Sequence, residues 1–247
     1  MPISDTETGG ADCGFPSTIW SRLTQSEGSP QASAEFDLDS LIRLYWKPVY
    51  LHLTLTWRVS PEEAKDLVQE FFLENVLEGN LLKNFRPELG SFRAFLKGAL
   101  GNFMSHEAGR RGARKRGGHL KLLSLSGGEA EAAELLRDAA ALPADQIFDA
   151  AWKKVVLDRA LGLLRERLLG DGKVLVYEVF RLYDLEAPEA EVSYKSVGAT
   201  LGISADTVKN HLTRARNLYL AAVSDVLRET VSDPASLSRE LRELFGI

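Results

Sequence analysis

With one cysteine, Cys13, in 247 residues, the chain has nothing to build an internal disulfide framework or a cysteine-based zinc site from. No apolar run approaches the roughly 18 residues that a membrane-crossing helix needs. Strand-like alternation of apolar and polar residues is scarce, so no substantial sheet is expected. The opening residues, MPISDTETGGAD, are polar and acidic, unlike a secretory or organellar leader. The four histidines, His52, His106, His119 and His211, lie in different segments without metal-ligand spacing. A Gly-rich phosphate loop and a nucleophile elbow are also missing. The expectation is a cytoplasmic protein that is not an enzyme and needs no metal or cofactor.

What is present is an ordinary globular composition, 45% hydrophobic and 26% charged, in a chain long enough for one large domain or two modest ones. The formal net charge is −5, but the charges are unevenly placed. Residues 109–121, GRRGARKRGGHLK, hold Arg110, Arg111, Arg114, Lys115, Arg116 and Lys121 with no acid. Residues 129–149 hold Glu129, Glu131, Glu134, Asp138, Asp145 and Asp149 against Arg137 alone. Phosphate attraction depends on where the cations sit, so an acidic total does not exclude nucleic acid.

Helical periodicity dominates and predicts an all-α chain of two small helical domains joined by a flexible linker. Residues 1–35 form an N-terminal extension of mainly loop composition, with a short helix at 17–25. The first domain spans 36–117. In FDLDSLIRLYWKPVYLHLTLTW, Leu38, Leu41, Ile42, Tyr45, Val49 and Leu53 share one face, and Pro48 is expected to kink or divide the helix. Ser60, Pro61 and Glu63 then form an N-cap, a first helical position and a capping-box partner. Ala64, Leu67, Val68, Phe71 and Phe72 follow as an apolar stripe that stops before Gly79. A second capped helix starts at Ser91 and runs through Phe92, Phe95, Leu96, Ala99, Leu100 and Phe103 into the basic run. The linker covers 118–144 and is Gly-, Ala- and Glu-rich. The second domain spans 145–220, with helices at 145–169 and 173–185 before the stretch described next. The extension 221–247 continues the last helix to Val231. After Asp233-Pro234 it adds a short amphipathic helix with Leu237, Leu241, Leu244 and Phe245. That helix either packs back on the second domain or binds the first and holds the protein closed.

The stretch SYKSVGATLGISADTVKNHLTRAR, 193–216, reads as two helices meeting at a glycine turn. Ser193 caps the first helix, Gly202 makes the turn, Ile203 plugs the gap and Ser204 caps the second. Val208, Leu212, Ala215 and Tyr219 form an inward stripe. Asp206, Thr207, Lys209, Asn210, Thr213 and Arg214 point outward, with the donors and acceptors that meet base edges and phosphates in a major groove. The same geometry also occurs in plain helical packing. The basic run after Phe103 has two readings as well, a helix C-terminus complementing its dipole or a phosphate-contacting segment. By spacing, Phe92, Phe95 and Phe103 are core residues. By residues alone, the outer face carrying Asp66, Gln69, Glu70 and Glu74 is solvated surface.

Two blocks in order, EEAKDLVQEFFLENVL with GSFRAFLKGALGNFMSHEAGRR, then SYKSVGATLGISADTVKNHLTRARNLYL, resemble regions 2 and 4 of bacterial RNA polymerase sigma factors of the sigma-70 family. The small extracytoplasmic-function type, here with N- and C-terminal extensions, is the nearest pattern, and FPSTIW is a further, weaker likeness. The resemblance implies a promoter-specificity subunit that binds core polymerase and recognises and opens promoter DNA. It implies that Asp66, Gln69 and Glu70 meet the β′ clamp helices, with the β flap a further contact. Ser91, Phe92 and Asn102 would meet the downstream promoter element, with Arg110 and Arg111 on its backbone. Thr207, Lys209, Asn210, Thr213 and Arg214 would read the upstream element. An anti-sigma factor is a further partner that the family allows. The chain departs from the family pattern at Gly198, usually Ala, at Gly101, commonly Arg, and at His106-Glu107, where an Asp is often found. A stand-alone helix-turn-helix regulator is the alternative function.

Overall fold

The computed structural model describes residues 31–77, 81–111, 141–186, 192–231 and 233–246, and every regular element among them is helical. The 17–25 helix, FPSTIW, Gly79, most of the basic run and most of the linker lie outside the described residues, as does the side chain of Leu38. In chain order the helices are α1 (Gln31–Thr56), α2 (Pro61–Phe71), α3 (Leu81–Asn84), α4 (Phe92–Arg111), α5 (Ala144–Gly170), α6 (Val174–Phe180), α7 (Tyr194–Leu201), α8 (Ala205–Arg228) and α9 (Pro234–Phe245). Wider π-helical turns extend α2 over Phe72–Leu77 and α6 over Arg181–Leu185.

Local signals account for the helix starts. Ser60 Oγ accepts the Glu63 amide and Pro61 occupies the first helical position, where its missing N–H costs nothing. Ser91 Oγ accepts the Ala94 amide ahead of α4. Asp233 caps α9 by accepting both the amide and the hydroxyl of Ser236. Pro48 is the exception: α1 continues through it as one helix. Its neighbours explain the tolerance, because Leu44, Tyr45, Val49 and Leu51 are all buried and tertiary packing holds the helix together across the lost hydrogen bond.

The helices enclose two adjoining cores. In the first, α1 contributes Leu41, Tyr45, Val49 and Leu53, α2 contributes Leu67, Val68 and Phe71, and α4 contributes Phe92, Leu96 and Leu100. Residues from beyond the linker complete it: Phe148, Trp152 and Val156 of α5, and Ala222, Val223 and Val226 of α8. The second core joins Leu164 and Leu168 of α5 to Val176, Val179 and Phe180 of α6, Val197 of α7, and Val208, Leu212 and Ala215 of α8. The division between cores therefore crosses α5 and α8 instead of falling between residues 117 and 145. The apolar stripes of both helices are longer than α6 and α7 can cover; the remaining half of α5 is buried against α1, and that of α8 packs on α5 and α9.

Aromatic rings join the first core across three helices. Tyr45 of α1 stacks on Trp152 of α5 with centroids 4.3 Å apart and planes 7° from parallel. Phe92 of α4 meets Tyr45 edge-on at 5.3 Å and Phe85 likewise at 5.3 Å. Such pairs add about 0.5–1.5 kcal/mol beyond their burial. Beside them His52 lies edge-on to Phe148 at 6.0 Å, and its Nδ1 is 3.2 Å from Thr56 Oγ1. Burial, reinforced by the Lys97 charge and opposed by Asp149, lowers the His52 pKa from 6.5 to about 4.

Three predictions follow from this core. Trp152→Ala should cost about 3–5 kcal/mol. Because α5 and α8 serve both cores, tryptophan fluorescence and far-UV circular dichroism of the wild-type chain should report one coincident denaturant transition. His52 binds its proton more weakly folded than unfolded, so its contribution lowers stability as pH falls from about 6.5 toward 4. Thermal melts across that window should show a smaller loss for His52→Gln than for wild type.

Candidate nucleic-acid interface

The segment 193–216 folds as two helices about a tight turn. Ser193 and Ser196 cap each other, the Ser193 hydroxyl accepting the Ser196 amide at 3.1 Å and the Ser196 hydroxyl accepting the Ser193 amide at 3.0 Å. α7 ends at Gly202, whose φ of 69° lies in the left-handed region that glycine enters without steric cost. Ser204 Oγ then accepts the Thr207 amide at 3.1 Å and opens α8. The turn is tight enough to dictate residue 198. A Cβ added at Gly198 would sit 2.6 Å from the Ile203 carbonyl oxygen, closer than any real contact permits. Glycine at this point is thus a packing requirement of the turn, beyond its propensity cost in α7.

Buried Val208, Leu212 and Ala215 pin one face of α8 against the second core, and half-buried Tyr219 donates its hydroxyl to the Leu157 carbonyl at 3.1 Å. The opposite face exposes Asp206, Lys209, Asn210, Thr213 and Arg214. Thr207 is half-buried and shares a 2.8 Å hydrogen bond with Ser204 Oγ, so its hydroxyl serves the helix cap. Thr213 Oγ1 donates to the Lys209 carbonyl at 2.9 Å, which fixes the rotamer. Lys209, Asn210, Thr213 and Arg214 thus share one outward strip of a helix whose roll is set by its core residues. Arg216, one turn beyond Thr213 at the edge of this strip, is engaged within the protein. Its guanidinium holds both oxygens of Asp184, at 2.9 and 2.7 Å, and lies 5.7 Å from the Tyr183 ring centre. These bonds raise its pKa and fasten α8 to the turns after α6.

On α2, Asp66 is exposed while Gln69 and Glu70 are half-buried. Their three- and four-residue spacing places all of them on the side opposite Leu67 and Phe71. Ahead of α4, Ser91 is half-buried and engaged in capping, and at the middle of the helix Asn102 is exposed. Phe92 is only 3% exposed, walled in by Tyr45, Phe85 and Phe95, so its ring is a core element in this conformation. Arg110 and Arg111 belong to the last turn of α4, and their side chains lie outside the described residues. Asp66, the α4 pair and the α8 strip therefore occupy separate elements.

Sequence reasoning missed a charged cluster against the first core. Arg93 of α4 is 5% exposed and reaches three carboxylates: Asp149 of α5 at 2.5 Å, and Glu240 and Glu243 of α9 at 3.3 and 2.8 Å. Lys97 adds bonds to Asp149 Oδ2 and the Asp145 carbonyl, both at 3.2 Å. Glu240, itself 3% exposed, also helps burial to push the Tyr45 hydroxyl well above its ordinary pKa. The available signal was positional: Arg93, Leu96 and Leu100 recur at helical spacing on the buried side of α4, so a cation there needs buried partners.

No protein-family model, curated protein or solved structure matches this chain.

The tight turn generates a stability test. Gly198→Ala should destabilise the chain by about 1–3 kcal/mol through overpacking against the Ile203 carbonyl. Urea denaturation checks the value, and a neutral or stabilising result would refute the close approach.

Proposed function

We propose that the chain is a promoter-specificity subunit of bacterial RNA polymerase, which binds the core enzyme and helps to recognise and open promoter DNA. The observation that carries this reading is the strip Lys209, Asn210, Thr213 and Arg214, exposed on α8 while the opposite face is anchored in the second core. Two long cations flank an amide and a hydroxyl there, a set suited to phosphates and base edges of one groove. The two sequence blocks that resemble sigma regions 2 and 4 supply the class.

In this reading α8 reads the upstream promoter element, and the exposed Asp66 edge of α2 meets basic clamp helices of the β′ subunit. The segment from Gly90 through Asn102, with Ser91, Phe92 and Asn102, serves the downstream element, and Arg110 and Arg111 hold its backbone. The β flap and an anti-sigma factor are further partners within this reading. No step needs a catalytic group: binding on polymerase raises the effective concentration of each weak DNA contact for the other. Unstacking a base costs a few kcal/mol, which the joint contacts offset.

Run-off transcription with core polymerase on genomic fragments tests the proposal. Promoter-dependent initiation above core alone is expected. Its absence, with sequence-specific duplex binding retained, would identify a stand-alone regulator instead. Asp66→Arg should abolish co-purification with core enzyme while leaving the circular dichroism spectrum unchanged. Arg214→Ala should weaken upstream-element recognition by about 1–3 kcal/mol. Equal output from promoters with and without that element, in both proteins, would remove Arg214 from the reading.

A further inference from the structure

A cleft at the N-terminal end of α4 is closed by α9 and the turn that precedes it. Gly90, Ser91 and Phe92 form one wall, and Val231, Ser236 and Glu240 form the other. We propose that α9 is a releasable strap masking an anion-binding seat on α4, formed by Arg93 and Lys97, and that nucleic-acid phosphate takes this seat when α9 leaves. The choice of ligand rests on the promoter-binding reading, whereas the strap rests on the geometry alone.

Opening changes the ion partners of the buried guanidinium. Arg93 is bound by Asp149, Glu240 and Glu243, whereas Lys97 is bound by Asp149. Departure of α9 takes both glutamates from Arg93, and because Arg239 and Arg242 leave on the same helix the change is local to the guanidinium. A guanidinium relieved of two carboxylates attracts phosphate. The guanidinium is suited to the exchange. Asp149 engages its Nη1, while Glu240 and Glu243 engage Nε and Nη2, so release frees donors in the fork that fits a phosphate. The two glutamates occupy the positions that phosphate oxygens would take.

The attachment of α9 suits release. Of its described residues only Glu240 is buried. Leu237, Leu241, Leu244 and Phe245 pack against the first core while remaining partly exposed, and Lys153 Nζ stands 5.1 Å over the Phe245 ring. Elements with few buried apolar contacts occupy the low end of local opening free energies. The Asp233 cap is internal to the helix, so α9 keeps its N-terminal hydrogen bonds while moving about the non-helical Thr230–Val231 turn. Opening forfeits the partial apolar packing of α9 and the ion contacts of Glu240 and Glu243, and phosphate replaces the latter.

Native-state hydrogen exchange on the full chain tests the strap first. Amides of α9 should exchange about tenfold or more faster than those of α5. Exchange of α9 only together with the core would overturn the proposal. In the full chain, Leu241→Ala with Leu244→Ala should speed α9 exchange further. It should also raise affinity for a labelled single-stranded oligonucleotide by about tenfold, an ordinary coupling between two sites. Adding Arg93→Gln should abolish that gain. Lys97→Gln, which leaves the buried guanidinium in place, should reduce it and serves if the Arg93 variant fails to fold. Faster α9 exchange with unchanged affinity, or a gain that neither substitution diminishes, overturns the seat. If the gain appears and depends on these cations, but core polymerase initiates from no promoter with either protein, the strap stands and the polymerase reading falls.

Discussion

A guanidinium that is 5% exposed has to be surrounded by carboxylates, and around Arg93 this requirement organises the molecule. Its partners come from α5 and α9, helices distant from α4 in the chain. Burial alone would favour loss of the Arg93 proton, but Glu240 and Asp149 outweigh it and hold the pKa above the ordinary value. Removing one member of such a cluster leaves the others buried without compensation. The cluster therefore specifies which helices meet more sharply than it adds stability. The half-exposed pairs Arg159–Glu229 and Arg167–Asp225, each at 2.8 Å between α5 and α8, contribute less because water screens them.

Around that cluster, α5 and α8 work as shared beams. Each places one half of its apolar stripe in the first core and the other half in the second. The α8 strip is consequently coupled to the first core through the body of its own helix. Ala222, Val223 and Val226 fix the same helix whose opposite end presents Lys209 and Arg214. Tyr45, stacked on Trp152 and within the field of Glu240, links α1 to α5 and α9. A disturbance at α9 thus lies one side chain from the centre of the first core.

Much of the local structure was legible in the residues. The caps at Ser60, Ser91, Ser193, Ser204 and Asp233 need only their neighbours three positions on, because a helix start is a local hydrogen-bonding problem. The inward stripe of α8 was readable for a similar reason: once three buried positions are known, the period of 3.6 assigns the outward ones. Phe92 shows where one line of reasoning overrode another. Its spacing marked a core residue, the family likeness drew it to the DNA, and the closed structure packs it among aromatic rings. Pro48 shows the converse, a local rule against helix continuation that tertiary burial outweighed.

The sequence by itself determined which segments are helical, where most of them start, and which face of each is apolar, since these depend on contacts within a few residues. Only the tertiary structure decided that the two cores adjoin through α5 and α8 and that Gly198 faces the Ile203 carbonyl. It alone brought Arg93 to Glu240 and Glu243, about 150 positions along the chain, an interval read from residue numbers alone. An amphipathic stripe declares that it must be covered, and a buried cation that it must be paired. Neither carries the address of its partner, because hydrophobic burial and charge pairing are indifferent to sequence distance once the chain has paid its closure entropy.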